Sequence, residues 1–187
     1  MHPALDSVAT LAWLSEQIIV GVVIEQRPPI ALPVDPQDPA SARIIYTDSL
    51  VRVDRQLRGL PLETVLVRRQ GGTVGGCVDE QPHVPSLTPG DEVLLFLREY
   101  APPAPAAMVY YTVGGPQGHW RRRPDGTVIP TRTGAYPEAS GAQVEEVERQ
   151  IRAALHLPPP PAAPPYLIVP LDRAPLPASA PPSPATR

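Results

Sequence analysis

Apolar positions recur along this chain at two periods, and the changes of period mark its elements. Leu5, Val8, Leu11, Ala12 and Trp13 or Leu14 fall at helical spacing, with Asp6 or Ser7 placed to cap a first turn, which predicts a short amphipathic helix over residues 5–16. Residues 17–26, QIIVGVVIEQ, are β-branched and apolar on both faces, as in a strand covered on one side by a core and on the other by that helix. Five prolines break residues 27–42 and predict a loop. Over residues 43–59 the period becomes two: Ile45, Thr47, Val51 and Val53 alternate with Tyr46, Asp48, Arg52 and Asp54 in one long strand. Residues 63–70 follow with Val65 and Val67 inward, and residues 92–97, EVLLFL, read as a fully buried strand behind a Pro-Gly turn. Residues 108–113 and 119–123 flank GGPQG and predict a hairpin, after which PDG turns the chain into residues 127–129. Helical period returns over residues 141–157. Val144, Val147, Ile151 and Leu155 share one face there, and Glu145, Glu146, Glu148, Arg149 and Arg152 the other, where Glu145 with Arg149 and Glu148 with Arg152 suit a solvated surface. Closely spaced strands, a helix at each end and no βαβ alternation predict a mainly β protein: a small antiparallel barrel with an N-terminal and a C-terminal helix.

Beyond residue 157 the periodicity stops. Twelve of the 29 prolines lie in residues 158–187, so a domain over residues 1–157 is expected to lead into a polyproline-like or disordered tail. Within that tail Tyr166, Leu167, Ile168 and Val169 form an apolar island able to add a strand to an exposed sheet edge, although a plain spacer is the favoured expectation. All 16 basic residues are arginine, which removes a phosphate-loop lysine, a Schiff base and a Ser-Lys dyad; GGTVGG is therefore no Walker loop. The net charge of −3 argues against a general polyanion binder. A single cysteine excludes an internal disulfide framework and a cysteine-rich zinc ribbon. No apolar run has the length to span a bilayer, and the first residues carry Asp6 without a basic start, so no signal peptide is evident.

The segments SEQIIVGVV, IYTDSLVRVDRQLRG, ETVLVRRQGGTVGG, TPGDEVLLFLR and VYYTVGGPQGHWRRRPDGTV, in that order, resemble a family of bacterial domains of unassigned function that occur mostly in exported proteins. Those domains look like the OB-fold module of the netrin and tissue-inhibitor-of-metalloproteinase class, and the resemblance covers about residues 5–155. It implies an OB-like barrel and a role in binding or inhibition, with no catalytic residue to carry over. The inhibitors of that class chelate zinc through an N-terminal cysteine, whereas position 1 here is Met1 with no cysteine nearby, so that mechanism does not transfer. The disulfides of the animal modules are missing as well.

Two clusters invite a chemical reading. Cys77, Asp79, Glu80 and His83 follow four glycines, but one thiol and one histidine fall short of closed zinc spacing, and neighbouring acids do not favour a nucleophilic thiolate. The expectation is a long loop with Cys77 as a small apolar plug, no metal and no cofactor. His119, Trp120, Arg121, Arg122 and Arg123 form the only basic cluster, and OB folds bind single strands with such arginines and aromatics. Alternation, however, puts His119, Arg121 and Arg123 on one face and Trp120 and Arg122 on the other, so arginines paired with acids such as Asp125 are the plainer reading. Tyr110 and Tyr111 are expected in the core or at a rim.

The expected function is a non-catalytic binding module with a protein or cell-envelope polymer as partner. A single-stranded nucleic-acid binder using HWRRR, and a weak thiol or metal enzyme at Cys77 and His83, are the alternatives. The family resembled is exported, so an exterior or envelope location is expected if an export segment precedes this sequence, and the cytoplasm otherwise. Oligomeric state is left open.

Overall fold

The computed structural model describes residues 7–35, 37–81, 83–100, 108–131, 136–137 and 139–156; the proline-rich tail and its apolar strip 166–169 lie outside them. Among the described residues the protein is mainly β with two helices. In chain order they are α1 (Val8–Leu14), β1 (Gln17–Gln26), β2 (Ile30–Pro33), β3 (Arg43–Arg58), β4 (Thr64–Gln70), β5 (Gly72–Val74), β6 (Cys77–Asp79), β7 (Glu92–Tyr100), β8 (Val109–Thr112), β9 (His119–Arg122), β10 (Val128–Pro130) and α2 (Val144–Leu155).

The pairings lead from β1 through β3, β4, β8 and β7 and back to β1. All are antiparallel except β4 with β8, which meet in parallel at Leu66 with Val109 and Val67 with Tyr110. The sheet is therefore mixed, where a wholly antiparallel one was expected. The reason is arithmetic: a circuit of five strands cannot alternate direction at every step, so one pair has to run parallel.

The circuit explains the apolar runs of β1 and β7. Ile19, Val23, Val65, Val67, Leu95, Leu97 and Tyr110 pack inside it, while Ile18, Val20, Leu94 and Phe96 on the opposite faces of the same strands pack beneath Leu11, Trp120, Val147 and Ile151. Every residue from Val93 to Leu97 is consequently shut off from solvent. Burial on both faces removes the period-two signal and leaves a continuous apolar run.

Two strands rejoin an edge after an excursion. Pro28 and Pro29 interrupt the chain after β1, and β2 then resumes along β3 opposite residues 43–46, so the predicted loop over residues 27–42 contains a strand. The same happens along β7, and it corrects the predicted hairpin. β8 and β9 do not pair with each other; β8 lies along residues 97–100 and β9 along residues 93–95, both antiparallel to β7. Between them a 3-10 turn, Gly115–Gly118, lifts the chain off the edge. Val113 N–H donates to the Phe96 carbonyl at 2.8 Å, and a Cβ on Gly118 would lie 2.6 Å from the Val113 oxygen, so only glycine lets the chain return this tightly.

The helices close the outer layer. Ser7 caps α1 by accepting from Thr10 N–H at 3.1 Å, and Trp13 Nε1 donates to the Ala154 carbonyl of α2 at 3.1 Å. α2 starts later than expected because residues 141–142 bond to Val128 instead, with the Val128 N–H donating to Ala142 O at 2.9 Å. Its acids are not a purely solvated face. Glu148 is buried and Arg55 of β3 bonds it at 2.8 Å and approaches Glu145 at 3.5 Å, while Arg149 pairs with Glu146. The two Arg55 bridges tie α2 to β3, and the bridge along the helix joins Arg149 to Glu146 rather than to the expected Glu145.

Candidate functional site

Period-two alternation divides β3 and β4 into an inward and an outward set. Val51, Val65 and Val67 point into the closed circuit, so Tyr46, Asp48, Arg68 and Gln70 point out. Asp48 stands directly opposite Arg68 and Tyr46 opposite Gln70. β2 extends the surface, with Ile30 opposite Tyr46 and Leu32 opposite Ile44, and β8 adds Tyr111 beyond Arg68.

The centre of this face is fully bonded. Arg68 grips Asp48 with two parallel hydrogen bonds, Nε to Oδ1 and Nη2 to Oδ2, each 2.7 Å. Both side chains are about nine-tenths buried, at 11% and 9% exposure. The hydrogen bond to Asp48 raises the Arg68 pKa, outweighing the burial that lowers it, and Tyr111 raises it further. The guanidinium carbon lies 5.5 Å over the Tyr46 ring, and the Tyr46 and Tyr111 rings meet edge-on with centroids 6.4 Å apart. Two partly buried tyrosines are thus packed around a buried ion pair, with apolar Ile30 and Leu32 alongside. Rigid aromatic and arginine groups bind with little loss of rotamer freedom, which is why binding surfaces favour them.

The basic cluster is dispersed by its fold. Trp120 sits opposite Leu94 of β7, its ring fully buried against Phe96 and Tyr136 at 5.4 and 5.2 Å, and its Nε1 donates to the Gln117 carbonyl. Trp120 therefore offers no stacking surface: β9 runs beside β7, and Trp120 shares with Leu94 the sheet face that the helices cover. His119 is also buried; desolvation, with Arg121 nearby and partly offset by Asp91, lowers its pKa to about 4. Arg122 bonds Glu92 at 2.7 Å and Arg121 approaches Asp91 at 3.9 Å. The acids are those of β7 and its preceding turn, not Asp125, which accepts from Thr127 instead. Arg123 is exposed.

The glycine-rich stretch is not a plain loop but carries the hairpin β5–β6, with Gly75 and Gly76 at its tip in the left-handed region. Cys77 is exposed on β6, not a buried plug. Asp79 accepts from Gln81 at 2.8 Å and Gln70 at 3.3 Å, and His83 and Glu80 are exposed. Among the described residues, no three of His, Cys, Asp and Glu converge as metal ligands do. The tail residues Tyr166, Leu167, Ile168 and Val169 are outside the described residues. Among the described residues, no helix is long and apolar enough to cross a membrane. Comparison with protein-family models gives no match, and neither does comparison with curated proteins.

Proposed function

We propose that the chain is a non-catalytic binding module on an OB-type barrel, working at the cell exterior or envelope, where its partner is a protein or an envelope polymer. In this reading β1, β3, β4, β7 and β8 are the five barrel strands, and the outward face of β3 and β4 is the surface on which OB folds take ligands. The observation that carries it is the Tyr46, Arg68 and Tyr111 cluster, locked by Asp48 on that face. Arg68 is already neutralised there, which favours an uncharged or mixed surface over a nucleic-acid backbone.

The test is co-sedimentation with isolated cell-wall polymer, with crosslinking to purified envelope proteins in parallel. Wild type should be retained by one of the two, and a Tyr46→Ser, Tyr111→Ser variant with an unchanged circular dichroism spectrum should lose at least roughly tenfold in affinity. Hydrolysis of an ester, peptide or phosphoester panel that Cys77→Ala or His83→Ala abolishes would contradict the reading. Retention of a single-stranded oligonucleotide at low salt would replace it with nucleic-acid binding.

A further inference from the structure

Arg69 follows Arg68 on β4 and so faces the opposite way, continuing the inward row of Val65 and Val67. It lies across from Thr47 at the end of the circuit, where Thr47 Oγ1 donates to the Gly71 carbonyl at 2.7 Å. Its Nε is buried without a hydrogen-bond partner, and no carboxylate among the described residues pairs with its guanidinium. Asp79 of the hairpin accepts from the amides of Gln81 and Gln70. Burial alone acts on Arg69, lowering its pKa.

Arg69 lines an open recess of about 350 Å³ together with Gly72 and Val78 of the β5–β6 hairpin and with Glu80 and Gln81 just after it. The wall is closely fitted. Gly72 has φ +141°, and a Cβ there would lie 2.8 Å from both Pro29 Cβ and Thr47 Oγ1. The volume is at the small end of ligand sites, enough for one or two amino-acid residues. An unpaired guanidinium fork fits a carboxylate with two parallel hydrogen bonds. Glu80, exposed on the same recess, disfavours a phosphate dianion but can accept the N–H or ammonium groups that accompany a peptide carboxylate.

We propose that this recess binds the free carboxylate of a short peptide or amino acid, with Arg69 as the anchor and Glu80 facing the donor groups of the ligand. The site is separate from the outward face of Tyr46 and Tyr111, and stands or falls without it.

The test is a titration of the full chain followed by the Arg69 Nε–Hε resonance and the amides of Gly72 and Thr73, with alanyl-alanine, its C-terminal amide, free alanine and inorganic phosphate as probes. Alanyl-alanine or free alanine should give saturable shifts, and whichever binds more tightly identifies a peptide or an amino acid as the source. The C-terminal amide and the Arg69→Gln variant should each weaken binding roughly tenfold or more, the usual effect of losing a charge-assisted pair. Arg69→Lys, which keeps the charge without the fork, should also weaken it, and the Tyr46→Ser, Tyr111→Ser variant should respond like wild type. Absence of saturable shifts, an equal response to acid and amide, or phosphate binding ahead of alanyl-alanine would overturn the proposal.

Discussion

Arg68 and Arg69 stand side by side on β4, and the sheet treats them in opposite ways. Arg68 is enclosed by Asp48, Tyr46 and Tyr111, and its hydrogen bond to Asp48 raises its pKa. Arg69, across the strand, meets only desolvation, which lowers its pKa. A charge held in a bidentate pair belongs to the fold's own bonding, because removing either partner strands the other away from water. A half-buried cation left without a counter-charge contributes nothing comparable to folding. Positions of that kind are where a fold gives up stability for a ligand.

The comparison breaks most visibly at Asp48. Asp48→Ala leaves Arg68 buried with no counter-charge, and the expected loss is about 3 to 5 kcal/mol in urea denaturation. A loss below about 1 kcal/mol would mean that the pair behaves like an exposed one.

His119 sharpens the contrast as a second buried group lacking a partner among the described residues, here at Nε2. Its folded pKa of about 4 lies below the ~6.5 of an unfolded histidine. Between those values the unfolded chain binds the extra proton, so stability falls as pH drops from 6.5 to 4. The gap corresponds to about 3 kcal/mol, and His119→Gln should lose that much less than wild type over the same window. Parallel pH profiles for the two proteins would show that His119 does not titrate as its burial requires.

Much of this architecture is legible in the sequence where burial is two-sided or strictly alternating. EVLLFL and QIIVGVVIEQ are apolar throughout because packed layers cover both faces of β7 and β1. The inward position of Arg69 also follows from local order, as the next odd residue after Val65 and Val67. The Asp48 and Arg68 pair is different: nothing local aligns β3 with β4, and the pair exists only through that register. The same holds for β8 and β9, which look like a hairpin until a third strand, β7, takes both. Local order groups Trp120 with the charges beside it, but opposite Leu94 it is core. Local order likewise suggests a buried Cys77, but the β5–β6 hairpin leaves it exposed.

The most direct test of the division between the two arginines is urea denaturation of Arg68→Gln and Arg69→Gln side by side, without ligand. Arg68→Gln should lose about 3 kcal/mol or more, because Asp48 is left buried and unpaired. Arg69→Gln should stay within about 0.5 kcal/mol of wild type or become more stable, since it removes a desolvated charge and no bond. An equal fall in both variants would contradict the assignment of Arg68 to the fold and Arg69 to a ligand.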